Sequence, residues 1–170
     1  LDAIERIGHS LPMAYADGNS LRTRVEMCVG QMHAAMAFGN SSVALVHGMA
    51  RPLGVHFDLP HGLSNAILLA EVMAFTRPAA VPAFAEIGCR LDARARGVSR
   101  ETASQIAVTR VRDLCEDLGI PTLGAAGVDR ERLEPVVEQM AMDALASGSP
   151  ANNPREATVE EIIELYRRCL

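Results

Sequence analysis

Three of the five histidines fall within one stretch, VHGMARPLGVHFDLPHGLSNAILL, residues 46–69. His47 follows small and apolar residues, and His61 follows Pro60, where a helix can begin. Fourteen positions separate them. Two helices joined by a short Pro/Gly-bounded loop would carry both imidazoles to one cation, and neutral imidazole is a common ligand for divalent transition metals. Spacing alone favours a hydrogen-bonded core histidine at 47 and a helix-capping histidine at 61 over a metal pair. Two imidazoles also leave a metal short of protein ligands. His9 and His33 read as surface or packing residues, and His56 as an exposed loop residue near Asp58.

Other chemistries find little support. The chain has no H-E-x-x-H, no G-x-S-x-G and no phosphate loop. Asp58, His61 and Ser64 are sequential neighbours at a loop and helix start, a poor basis for a catalytic triad. No G-x-G-x-x-G follows a predicted strand, so no dinucleotide fold is expected. Cys28, Cys89, Cys115 and Cys169 lie far apart without C-x-x-C spacing, which excludes zinc-ribbon and thioredoxin-like readings. Cys28 and Cys115 fall on apolar helical stripes, which predicts buried, reduced thiols in a cytoplasmic protein.

The elements that must position the two histidines are helical. The composition is 49% hydrophobic but only 4% aromatic, a mixture rich in Ala, Leu and Met that favours helix. A net charge of −5 argues against nucleic acid as a partner, and no apolar run approaches a membrane span. Leu1 begins inside a helix that runs out at Asp17 and Gly18. Asn19 or Ser20 caps a second, with the stripe Leu21, Val25, Cys28, Met32, Ala35 and Met36, broken at Gly39 and Asn40. Ser41 or Ser42 caps a short helix that Pro52 ends near Arg51, leaving 55–60 as a loop.

His61 opens the next helix, closed at Thr76. Another spans about 81–96, stopped by Gly97, and Ser99 starts a long amphipathic one. LGIPTLG (118–124) is a helix stop with Gly119 as left-handed cap. Asp129 caps a helix carrying Leu133, Val136, Val137, Met140 and Ala144. SGSPANNPR (147–155) is too rich in Gly, Pro and Asn to be regular, and Thr158 with Glu161 forms a capping box. The fold class expected is an all-α, multi-helix domain.

With its flanks, the central stretch resembles a known family. LVHGMARPLGVHFDLPHGLSNAILL (45–69), AAMAFGNSSVALVHG (34–48), DLGIPTLGAAGVDRERL (117–133) and DALASGSPANNPR (143–155) together resemble the iron-containing, group III alcohol dehydrogenases of the dehydroquinate synthase-like superfamily. The resemblance extends over essentially all 170 residues. It implies a two-domain parent, with an N-terminal α/β domain that binds NAD(P) and a C-terminal helical domain that holds Fe²⁺ or Zn²⁺. The family's metal takes one Asp and three His, of which His47 and His61 match two. The other pair comes from an Asp-x-x-x-His turn, and none precedes His47.

Residues 1–170 are therefore expected to be a partial helical metal-binding domain, without the cofactor domain and with weak or absent metal when alone. The implied activity is alcohol and aldehyde interconversion on a small substrate, by a homo-oligomer. Arg51 departs from the pattern, because many members carry a His there that is assigned to proton relay. Arginine stays protonated and cannot shuttle protons in that way. Two roles stay open for it: holding an anionic substrate group, or pairing with a neighbouring carboxylate. The alternative for the whole chain is a non-catalytic helical module that self-associates through apolar surface. A helical metal-dependent hydrolase with other ligands is a more distant third.

Overall fold

The structure, a computed structural model, describes all 170 residues. It contains nine α-helices and no strand: α1 (Asp2–Ala16), α2 (Leu21–Ser41), α3 (Leu45–Phe57), α4 (His61–Thr76), α5 (Val81–Leu91), α6 (Arg100–Asp117), α7 (Arg130–Leu133), α8 (Val137–Ala146) and α9 (Val159–Arg168). The all-α expectation holds. The chain divides into two compact units, one of residues 1–42 and 80–118, the other of residues 43–79 and 119–170. No helix is long and apolar enough to cross a membrane.

The first unit holds α1, α2, α5 and α6, and small residues let its helices approach closely. A Cβ at Gly88 on α5 would run into the backbone carbonyl of Ala103 on α6, and one at Gly30 on α2 would meet Ile7 of α1. The buried residues between α5 and α6 are mostly alanine, with Phe84 and Val108. Ser99 caps α6 by accepting from the Thr102 N–H at 3.1 Å, as the sequence indicates. The single helix expected over 81–96 is instead α5 and a separate 3-10 turn, Ala93–Ala95. Asp92 divides them: its carboxylate accepts from the Arg94 N–H at 2.8 Å and starts the turn.

Two expectations fail on α2. The helix does not break at Gly39 and Asn40 but runs to Ser41, and Ser42 (φ 64°) is its C-cap rather than the cap of the next helix. Its apolar stripe also faces solvent: Leu21 is 77% exposed and Met36 62%, with Val25, Met32 and Phe38 similar and Cys28 exposed. The face α2 buries is the one bearing Thr23 and Gly30, because close approach to α1 selects small residues over large ones. Cys115 is half-buried, and burial followed by the charge of Glu116 raises its thiol pKa. All four cysteines are free thiols.

The second unit carries the larger core. Leu45, Met49, Leu53, Leu68, Leu123, Leu133, Met140, Ile162 and Tyr166 are all fully buried there. Tyr166 donates its hydroxyl to the Met49 carbonyl at 2.6 Å, which ties α9 to α3 and satisfies both buried groups. Gly48 lets α3 lie against the ring of Pro150 and the carbonyl of Ala144. Contrary to expectation, α3 does not stop at Arg51: Pro52 sits inside it, buried like its neighbours Ala50 and Leu53. Burial of that face outweighs the lost backbone hydrogen bond and the restriction Pro52 places on Arg51.

Elsewhere in this unit Asp129 caps α7 as expected, but α7 is one turn, and α8 begins only after Pro135. The Thr158–Glu161 capping box is formed on both sides. The stretch expected to be irregular contains a 3-10 turn, Ser149–Asn152, and is well anchored. Asn152 donates to the Val43 carbonyl at 3.0 Å, and Arg155 to that of Phe75 at 3.1 Å.

Candidate metal centre

The N-terminus of α3 sets His47. Its N–H and that of Gly48 both reach the Ala44 carbonyl, so the ring projects from the first turn of a helix whose next residues are buried. At the far end Asp58 takes a left-handed conformation (φ 57°), and its N–H returns to the Gly54 carbonyl at 3.1 Å. The loop expected over 55–60 therefore shrinks to 58–60, and His56 belongs to the last turn of α3. Pro60, extended at ψ 136°, then turns the chain so that His61 is the first residue of α4. The two imidazole centroids lie 5.3 Å apart, with their planes inclined by 58°. The structure brings together the two histidines singled out in the sequence.

Their electrostatics differ. His47 is partly buried, and its pKa falls below the ordinary histidine value, first through desolvation, then through His61, then through the charge of Arg51. A neutral ring is the form that can ligate a metal. His61 is exposed and leans on Asn65, one turn along α4. The Asn65 amide nitrogen donates to the His61 carbonyl at 2.8 Å and lies 3.1 Å from His61 Nε2. The carbonyl contact fixes which end of the amide is nitrogen, so Nε2 accepts through its lone pair and Nδ1 carries the proton. Asn65 Oδ1, meanwhile, is buried without a partner.

Asn65 is thus in reach of His61, as the sequence allowed, but offers a donor where a ligand imidazole needs an acceptor. If Nδ1 ligates, Nε2 bears the proton, and the unpaired Oδ1 belongs to the amide that could receive it. Asp58, the other residue considered for this role, is exposed and bonded to neither ring. The i to i+4 spacing of His61 and Asn65 was the available signal, whereas the donor orientation was not legible.

The remaining candidates serve other ends. Arg51 lies one turn beyond His47, exposed and without a carboxylate partner. His9 bonds the Glu5 carbonyl and His33 the Asp2 carboxylate, both in the first unit. Ser64 is buried and donates to the Pro60 carbonyl at 3.1 Å, which removes it as a nucleophile. No three His, Cys, Asp or Glu side chains gather to hold a metal. The donor chemistry of His47 and His61 fits a divalent metal as part of a coordination sphere, not as the whole of one.

Residues 1–170 match the family described as "Fe-containing alcohol dehydrogenase family, C-terminal". Lactaldehyde reductase of Escherichia coli strain K12 is 42% identical over 142 residues, which cover 83% of this chain and 36% of that protein. The 1,3-propanediol dehydrogenase of Citrobacter freundii is 35% identical over 169 residues, 99% of this chain and 43% of that protein. A solved 1,3-propanediol oxidoreductase superposes with a TM-score of 0.93 at 34% identity, covering 99% of this chain and 44% of its own. The chain therefore spans less than half the length of the relatives it matches.

Proposed function

Because this chain belongs to the iron-containing alcohol dehydrogenase family, as its C-terminal helical part, we propose that it supplies His47 and His61 as two metal ligands of an NAD(P)-linked alcohol dehydrogenase. The observation that carries the proposal is the 5.3 Å approach of two imidazoles from successive helices. When bound, a divalent metal, Fe²⁺ or Zn²⁺, held in part by His47 and His61 would supply Lewis acidity toward an alcohol or carbonyl oxygen, and a nicotinamide would supply the hydride acceptor or donor. The net change is oxidation of a small alcohol to an aldehyde or ketone, with the hydroxyl proton released, or the reverse.

The chain's own residues do the holding. Partial burial keeps His47 neutral and ready to ligate. Helix α3 is pinned by Tyr166 and by the Gly48–Pro150 contact, so the ring projects from a fixed base. Asn65 steadies the direction of the His61 ring. With two imidazoles and no carboxylate in the site, these 170 residues alone bind metal weakly and do not catalyse the reaction. The free thiols fit a cytoplasmic location. The test is NAD(P)H formation from short alcohols by the metal-loaded enzyme carrying this chain. A chelator should abolish it and added Fe²⁺ or Zn²⁺ restore it; turnover indifferent to the chelator contradicts the proposal.

One observation favours a second reading as a self-associating module: the exposed apolar face of α2. A patch of this kind is characteristic of an interaction surface. Self-association alone is common to both readings, since a homo-oligomeric dehydrogenase would show it too; the second differs in being non-catalytic, with no functional metal site. A sedimentation mass that rises with concentration supports the second, and a strict monomer at all concentrations opposes it.

A further inference from the structure

We infer that Arg51 forms an anion subsite beside the metal position and selects short hydroxy acids, or the corresponding oxo acids, over uncharged alcohols. The inference rests on His47 and His61 being metal ligands, as proposed above. Its first support is what Arg51 does not touch. Every other arginine of its unit is engaged: Arg130 and Arg167 with Glu134, Arg132 with the Gly127 carbonyl and the Phe57 ring, Arg155 with Glu161, Arg168 with Glu164, and Arg77 likewise has a partner. Arg51 alone has no carboxylate, carbonyl or ring. The carboxylate of Asp58, the nearest acid along the chain, pairs with nothing, so the neighbouring-carboxylate role is not realised.

The second support is position. Arg51 shares a helical face with His47, one turn away, where Cβ atoms stand about 5–6 Å apart. Its backbone is held on both sides by buried residues, Met49 and Ala50 before it and Pro52 and Leu53 after it. A free guanidinium on a fixed stem matches a carboxylate with two parallel N–H···O bonds. With a hydroxyl at the metal position, a carboxylate on the same molecule would have to reach about one turn along α3 to meet Arg51, which suits a short hydroxy acid. The redox balance would be unchanged: a nicotinamide would accept the hydride from the carbinol carbon, and the hydroxyl proton would be released.

The test compares 3-hydroxypropanoate with 1-propanol in the metal- and NAD(P)-loaded enzyme carrying this chain. Wild type should favour the acid in kcat/KM, and Arg51→Gln should lower the acid-to-alcohol ratio at least tenfold, mainly through KM. Arg51→Lys should keep part of the preference, and added salt should raise KM for the acid. A wild type that favours propanol overturns the inference, as does a ratio within twofold of wild type in a folded, metal-loaded Arg51→Gln enzyme. Either result leaves the metal assignment standing. Loss of that assignment shows separately, as full metal content in His47→Ala and His61→Ala.

Discussion

Asn65 Nδ2 lies 3.1 Å from His61 Nε2, while Oδ1 of the same amide is buried with no partner. The side chain that steadies a candidate ligand thus holds an unused acceptor next to it. Buried acceptors of this kind are rare in native proteins, and leaving one unpaired costs about 1–3 kcal/mol.

Asn65→Leu keeps the size of the side chain but removes both groups. Nitrogen-resolved NMR should find the His61 proton on Nδ1 in wild type and a mixture of tautomers in the variant. Metal affinity of the loaded enzyme should fall by about 10–100-fold, the usual effect of losing a ligand's hydrogen-bond partner. Unchanged affinity would leave Asn65 a purely structural residue.

Asp92 makes the first unit acid-sensitive. Hydrogen bonds from the Arg94 side chain and backbone pull its carboxyl pKa down to about 2. The unfolded value is about 3.9, so the folded state binds fewer protons between the two. The stabilisation is complete above about pH 4 and is lost as pH falls toward 2. Asp92→Ala should cost about 1 kcal/mol at neutral pH. It should also flatten the fall in melting temperature across that window, as measured by circular dichroism.

Two glycines should respond oppositely to alanine. At Gly88 the new methyl meets the Ala103 carbonyl backbone, and the α5–α6 pair has to separate. The expected loss is at least about 1–3 kcal/mol. At Gly62, within the histidine stretch, a Cβ meets nothing within 4 Å. Gly62→Ala should stabilise α4 by up to about 1 kcal/mol, because alanine has less freedom to lose. Chemical denaturation of both variants checks the pair.

Local chemistry was legible in the sequence wherever it decided the outcome. The caps at Ser99, Asp129 and Thr158 and the left-handed Gly119 are where their residue types place them. So is His61 at the start of α4, which is why the histidine pair could be anticipated. Failures came where packing overruled local preference. Pro52 should end a helix, yet the core formed by Met49, Ala50 and Leu53 carries α3 through it. The Leu21–Met36 stripe has core composition, but Gly30 and Thr23 won the contact with α1, and no periodicity distinguishes an apolar face that is buried from one that is not. Arg51 was ambiguous because freedom from carboxylates is a property of the folded neighbourhood alone.

The central claim is that His47 and His61 ligate the metal of an alcohol dehydrogenase. Metal content per protomer, measured after gel filtration of the enzyme carrying this chain, tests it most directly. Wild type should retain one Fe²⁺ or Zn²⁺, while His47→Ala and His61→Ala, shown by circular dichroism to be folded, should each lose most of it. Full metal occupancy in both folded variants would contradict the assignment.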